Sequence, residues 1–419
     1  MAQPRRAVVI GGGIGGLTAA AALHHGGWDV TVLERAPSLE PVGAAISLAP
    51  NSLRALDVIG LGDEIRDLAA WQGDGGLRTS SGRWLSRTDA DAVARRFGGP
   101  LVLLHRATLI NSLAARLPAE AVRPAAAAVV ADPGDADRPA RVSTPDGDLE
   151  ADLVVAADGI RSAVRRALFP DHPGTVYSGF TTWRVVIPVP GAEFASHETW
   201  GRGRIWGSHP LKDGRVYAYA AARTPCGERA ADDEKAELLR RYGDWHDPIP
   251  AILAAARPED VLRHDVHLIA EPLPAYHRGR VALVGDAAHA MPPTLGQGGN
   301  QAIEDAVVLA LTQAPGPDRG NAVGDGLAAY TAERLPRTTA IARQAVKIGR
   351  LNMMTGRAGI AVRNTTIAAL SKAAPLLFLR GFDGIADWRP PQPPYAAGKA
   401  PAGNRWRRTP RESRLHRTR

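Results

Sequence analysis

The stretch that most constrains this chain lies at its start. Ala7-Val8-Val9-Ile10 runs into Gly11-Gly12-Gly13-Ile14-Gly15-Gly16, then into an Ala/Leu-rich run to Leu23 and a second apolar run, Asp29–Glu34. Pattern and length predict strand, tight turn, helix and strand. In such a unit Gly11 permits the turn, Gly13 lets backbone amides approach a pyrophosphate, and Gly16 lets the helix lie close to the strand. The helix N terminus then faces the phosphates. Glu34 closes the second strand near the spacing expected of an acid that accepts hydrogen bonds from a ribose. A bare glycine pattern is weak, but with strand, helix and acid in place it points to a bound dinucleotide. It does not separate NAD from FAD.

Composition limits the remaining possibilities. The length of 419 residues favours two lobes and a tail over one small domain, and 45% hydrophobic with 22% charged residues reads as globular. The net charge of +8 would suggest nucleic acid or membrane if it were spread along the chain. Residues 390–419, however, carry eight Lys and Arg against Glu412 alone, so +7 of it sits in a Pro-rich tail without apolar periodicity, read as an extended or disordered extension. The nearly neutral body argues against nucleic acid. A single cysteine, Cys226, excludes internal disulfides and a multi-cysteine metal site, no metal is expected, and cytoplasmic residence fits. No signal peptide precedes the first strand, and Ile367–Phe382 is too interrupted by Lys372, Pro375 and Arg380 to span a membrane, so it reads as a docked helix.

Two further segments carry the argument. Asp152–Ala157 is an apolar strand ending in the Asp158-Gly159 turn and entering a helix through Ser162. Gly279–Gly285 is a buried strand expected to end on Asp286, whose carboxylate suits a polyol. The loop Met291–Gln301, with Pro293, Gly296, Gly298 and Gly299, then leads to a helix from about Ala302. Bare amides at that helix start, with its dipole, favour developing negative charge, such as that on the N1–C2=O edge of a reduced flavin.

In this order and spacing the three segments resemble the class A, single-component FAD-dependent monooxygenases related to p-hydroxybenzoate hydroxylase, over roughly residues 5 to 350. The resemblance implies that Gly11, Gly13 and Gly16 bind the FAD pyrophosphate, Glu34 the adenosine ribose, and Asp286 the ribitol, while Asp158 serves FAD and nicotinamide approach. Arg106 matches a family arginine that opens a helix and contacts the flavin; Arg35 and the loop residues Pro293, Gly296, Gly298 and Gly299 complete the cofactor set. The segment Pro41–Asn51 resembles the stretch that runs beside the isoalloxazine ring. The implied reaction is reduction of FAD by NADPH or NADH, addition of O2 at flavin C4a, and transfer of one oxygen from the hydroperoxide to an aromatic, indole or polycyclic substrate.

Between the second and third segments the composition turns aromatic and alternating. Thr181–Val189, Arg204–Pro210 and Arg215–Arg223 predict an antiparallel sheet, with Tyr217 and Tyr219 on one face. Such a face over a flavin makes an apolar pocket with a few polar groups. Candidate substrate contacts are Arg184, Trp206 and Tyr219, with Tyr217 and His209 positioning the substrate or acting as base. The expected fold is α/β: a Rossmann-like three-layer FAD domain (1–175 and 265–350), an inserted antiparallel β-sheet substrate domain (176–264), a C-terminal helical segment (351–389) and the basic tail (390–419), as monomer or homodimer. Three rival readings stand beside this one. Trp183-Arg184-Val185-Val186-Ile187-Pro188 faintly resembles a halogenase signature, but Val185 replaces its second tryptophan and the first lysine is Lys212. The second is a flavin-binding redox sensor or ligand-sequestering protein without turnover, and the third a quinone or isoprenoid ring hydroxylase at the membrane surface with the basic tail as tether.

Overall fold

The computed structural model describes residues 4–39, 44–68, 75–191, 193–314, 323–373 and 382–391. Its first sheet has six strands in the order His277–Arg278, Val281–Leu283, Leu153–Ala156, Arg6–Ile10, Asp29–Leu33 and Val122–Arg123. All neighbours are parallel except the first pair. The first strand of the chain is therefore central, and all four residues Ala7–Ile10 are buried, as a sheet covered on both faces requires. One face carries the helices Ile14–His25 and Gly298–Thr312. Against the other lies a small sheet of Val129–Asp132, Ala140–Thr144 and Gly147–Ala151, whose Ala140, Val142 and Ala151 join the same core. These are the three layers expected of the flavin fold. The helix Ile14–His25 is apolar almost all round because it is buried almost all round, from Ile14 to Leu23.

The second sheet has seven strands: Leu262–Ile269, Thr175–Pro188, Arg215–Ala222, Arg204–Pro210, His197–Trp200, Gly75–Thr79 and Trp84–Thr88. It is antiparallel except where His197–Trp200 meets Gly75–Thr79. The last two strands come from the N-terminal part of the chain, so the sheet is wider than its composition signalled. Its outer face buries Trp183, Val185, Ile187, Trp206, Ala218 and Ala220 under the helices Glu234–Tyr242 and Ile249–Ala255. Part of its inner face, at Trp200, Ile205 and Ala221, packs on Met353, just past the C-terminal helix Val323–Asn352, and on Ile367 of the helix Arg357–Ala373.

Several local expectations shift. The strand before Asp286 stops at Leu283, and Gly285, at φ 63° and ψ −135°, turns the chain so that Asp286 opens a short helix instead of ending a strand. The following helix begins at Gly298, four residues before Ala302, because the glycines themselves form its first turn. The docked helix read at Ile367–Phe382 is seen as Arg357–Ala373; its residues 374–381 lie outside the described residues, as do 40–43 of the stretch beside the ring and 392–419 of the tail.

Candidate active site

The three sequence segments meet at the C-terminal ends of the parallel strands, where ligands bind in open α/β sheets. A Cβ on Gly16 would lie 1.9 Å from the Gly11 carbonyl oxygen, so helix and strand touch there only because residue 16 is glycine. Gly11, at φ 110°, crosses the Ala157 carbonyl, which a Cβ would meet at 2.4 Å. Gly13 differs: nothing lies within 4 Å of where its side chain would be, and as the cap of Ile14–His25 it makes no side-chain bond. The helix therefore presents free amides to open space. Glu34 accepts from the Gly12 amide at 2.7 Å and the Ala36 amide at 2.8 Å, fixing the turn; Arg35 beside it is exposed.

At the second segment Asp158 Oδ2 accepts from the Ala163 and Val164 amides at 2.8 and 3.2 Å, while its Oδ1 is buried without a partner. Arg165, 3% exposed, joins this turn to the third segment by donating to the carbonyls of Ile160 at 2.7 Å and Ala287 at 3.0 Å. Asp286 is exposed at the start of its short helix. The loop beyond it exposes Pro293 and Gly296, and Gly298 starts a helix whose first amides get no side-chain cap from Gln297, its Oε1 being taken by Asn51 and Gln301 instead. Gly299 has a packing reason for its identity, since a Cβ there would meet Ile46 at 2.8 Å. This second uncapped helix start, like the first, offers amides to an anion.

A buried ionic cluster lies beneath that loop. Arg334, wholly buried, pairs with Glu304 at 2.5 Å and Asp305 at 2.7 Å. Asp305 also accepts from the Gly285 amide at 2.9 Å and meets His289 at 2.5 Å, and Glu304 accepts from Asn51 and Gln301. Against the opposing cost of burial, Arg334 and Arg337 hold Glu304, and His289 with Arg334 holds Asp305, below the usual carboxyl range. The sequence signal for this cluster was two adjacent acids in an otherwise apolar helix.

The inner face of the seven-stranded sheet supplies the other wall. Register sets Arg184, Tyr219, Gly207 and Glu198 in one row across four strands, with Tyr217 opposite His209 in the next. His209 stacks on Tyr219 at 5.5 Å and Tyr217 at 6.1 Å. Burial lowers His209 from 6.5 to about 4, so its ring is neutral near pH 7, and its Nδ1 is buried without a partner. Burial raises Tyr217, partly offset by the Arg184 guanidinium beside it, and raises Tyr219 further, aided by Glu198. Arg106, solvent-accessible yet enclosed by protein, is lowered by burial, raised by Asp286 and lowered again by Arg184, which places it between the two walls. The hairpin carrying Tyr217 closes this end: Lys212 donates to the Asp67 carbonyl, and a cavity of about 230 Å³ is lined by Leu103, His105, Thr108 and Leu211.

One assignment needs correction. Strand alternation puts Trp206 on the outer face, 1% exposed, donating to Ser208 at 2.9 Å and packed on Tyr242, so it does not face the cleft with Arg184, His209, Tyr217 and Tyr219. Glu198 is the residue that sequence reasoning missed on the inner face. A cavity of about 500 Å³ on the outer face is lined by four arginines and four acids, a balance that gives no net charge to draw an ionic ligand.

The FAD binding domain family model matches residues 5–345. This chain belongs to that family. As an FAD-binding protein it is 33% identical over 368 residues to the aurachin C monooxygenase/isomerase of Stigmatella aurantiaca, covering 87% of this chain and 94% of that protein. It is 35% identical over 361 residues to 3-amino-4-hydroxybenzoate 2-monooxygenase of Streptomyces cremeus, covering 82% and 86%. The solved structure of Klebsiella pneumoniae HpxO complexed with FAD and uric acid superposes with a TM-score of 0.80 at 28% identity, covering 91% of this chain and 96% of that one. The chain is an FAD-dependent monooxygenase of the aromatic hydroxylase type. The open cradle at Gly13, the unpartnered Asp158 Oδ1 and the free helix start at Gly298 fit FAD.

Proposed function

We propose that the enzyme hydroxylates or epoxidises an electron-rich aromatic, indole or polycyclic ring held between the inner face of the seven-stranded sheet and the cofactor cleft. The observation that carries this reading is the placement of Arg184, Tyr217, Tyr219 and His209 on one sheet face, with Arg184 within electrostatic reach of Arg106, which in turn feels Asp286. The chemistry that bound FAD would supply there is hydride acceptance from NADPH or NADH and activation of O2. The turn of Gly11, Gly13 and Gly16 would hold its pyrophosphate against the first helix start, Glu34 with Arg35 its adenosine half, and Asp286 its ribitol, while Asp158 would serve FAD and nicotinamide approach. The free amides of Gly298 and Gly299 at the second helix start would stabilise negative charge on its ring edge, with Pro293 and Gly296 shaping the loop that leads to them.

The chain's own work is to position and dehydrate the substrate. Arg184 binds an acid or hydroxyl group on the ring. Tyr217 keeps its proton, since burial raises it, and acts as a donor that orients the substrate and not as a base. Neutral His209 offers its open Nδ1 to a substrate proton. The division into residues 1–175 with 265–350, 176–264, 351–389 and 390–419 follows the same logic, with cofactor and substrate on separate walls. A cytoplasmic monomer or homodimer completes the reading. No helix among the described residues is long and apolar enough to cross a membrane.

The test is NAD(P)H oxidation by the FAD-loaded enzyme across phenols, aminohydroxybenzoates, indoles and quinolones, with peroxide followed alongside. The reading expects at least one ring to stimulate oxidation with little peroxide, and Arg184→Met to raise KM for that ring about tenfold or more. Stimulation by no ring, or an unchanged KM in the variant, contradicts it.

A further inference from the structure

Glu198 has no part in the scheme above, yet the inner face is built around it. Its carboxylate lies on the strand His197–Trp200 and accepts the Trp200 indole N–H on Oε1 and the Tyr219 hydroxyl on Oε2, the latter at 2.5 Å. Tyr219 starts two strands away and reaches Glu198 by crossing Gly207. A Cβ at that position would lie 2.3 Å from the Tyr219 ring, so the glycine is what opens the path. Trp200 is pinned in turn by Arg363, whose guanidinium lies 5.1 Å over the indole. His209 stacks flat on the Tyr219 ring, at 17° between planes, and fixes it from the adjacent row.

Burial raises Glu198 while its bonds to Trp200 and Tyr219 lower it, and as a carboxylate it can only accept. A phenol has one proton to give, and that of Tyr219 is spent on Glu198. The Tyr219 oxygen, on a side chain still partly exposed, can then only accept. We propose that Glu198 and Tyr219 form a specificity dyad in which Glu198, as a positioning residue, makes Tyr219 an obligate acceptor, so that the site selects rings bearing an N–H or O–H donor at the edge that meets Tyr219. This rests on the reading of this face as the ring site and names the substrate class within it. An aromatic whose donor is masked by a methyl group covers the Tyr219 oxygen without giving its lone pairs a proton, and a site built to bond a proton rejects the ligand that lacks it.

Substitution of Glu198 gives a result that a structural role would not. In Glu198→Gln the amide oxygen is held by the Trp200 indole, so the amide N–H group faces Tyr219 and donates to it. The Tyr219 proton is then released towards the ligand, and the preference turns from donor-bearing to acceptor-bearing rings.

The experiment is isothermal titration calorimetry of the FAD-loaded enzyme at pH 8 with two matched pairs, 4(1H)-quinolone with 1-methyl-4-quinolone, and 4-hydroxybenzoate with 4-methoxybenzoate. The wild type is expected to bind the donor-bearing member of at least one pair about tenfold or more tightly. Tyr219→Phe is expected to bring that ratio to within about twofold, and Glu198→Gln to reverse it. Equal affinity of both members in the wild type overturns the proposal without any variant, and so does a ratio unchanged in both variants. Failure of every ring to bind overturns it together with the assignment of this face. Because the readout is binding, a retained ratio without oxygenation would count against the oxygenase reading and leave the dyad standing.

Discussion

Single glycines in the first turn separate a structural role from a cofactor role. Gly16→Ala forces a Cβ to 1.9 Å from the Gly11 carbonyl and is expected to prevent stable folding, read as loss of a cooperative thermal transition. Gly13→Ala meets nothing in the protein, so the flavin-free enzyme should melt within about a degree of the wild type, while FAD affinity falls about tenfold or more because the methyl occupies the phosphate approach. A parallel contrast holds in the sheet. Trp206→Phe should cost about 1–2 kcal/mol in urea denaturation, through the lost bond to Ser208 and lost volume, with KM for an aromatic substrate unchanged. A large change in KM would return Trp206 to the substrate face. The sequence made the glycines legible because each answers a local steric demand. It misassigned Trp206 because composition says that a strand is aromatic, while only its register says which side of the sheet each ring takes.

Among elements, the segments that read clearly were those with local signatures: the parallel strands, the first helix and the Asp158-Gly159 turn. What could not be read was what those elements do to one another. Glu304 and Asp305 stand in an apolar helix for the sake of Arg334, 29 residues on from Asp305, and Glu198 is bonded by a tyrosine two strands distant. The two N-terminal strands 75–79 and 84–88 join a sheet whose other members lie a hundred residues later, a pairing that no local pattern announces. The buried cluster yields a prediction at this scale. Arg334→Met leaves Asp305 with His289 alone and Glu304 with Arg337, and is expected to destabilise the protein by about 3–5 kcal/mol, measured by urea denaturation. Because Asp305 holds the Gly285 amide, FAD affinity should fall in the same variant.

For the whole molecule, acid stability follows from its buried histidines. Burial is the main cause that lowers both His197 and His209 from 6.5 to about 4. The unfolded chain takes up protons on both as pH falls below 6.5, and the folded chain does not until about 4. Their contribution is thus fully present above pH 6.5 and is lost progressively down to pH 4. It is on the order of 3 kcal/mol for His197 and less for the partly exposed His209. Urea midpoints taken between pH 7 and 4 should fall steadily, and His197→Gln should flatten the slope. A slope unaltered by that substitution would remove His197 as its source. The overall architecture was legible because three glycine-bearing segments in fixed order admit few folds; the substrate was not, because it depends on which side chains converge from separate strands. The central claim, that this cleft inserts one atom of dioxygen into a ring held on the inner sheet face, is tested most directly by turnover under isotopically heavy O2 with a ring that stimulates NAD(P)H oxidation. The account predicts a product carrying one heavy oxygen in near-stoichiometric ratio to the nicotinamide consumed, abolished by Arg184→Met at low substrate. Consumption of nicotinamide matched by peroxide with no labelled product from any ring would contradict it.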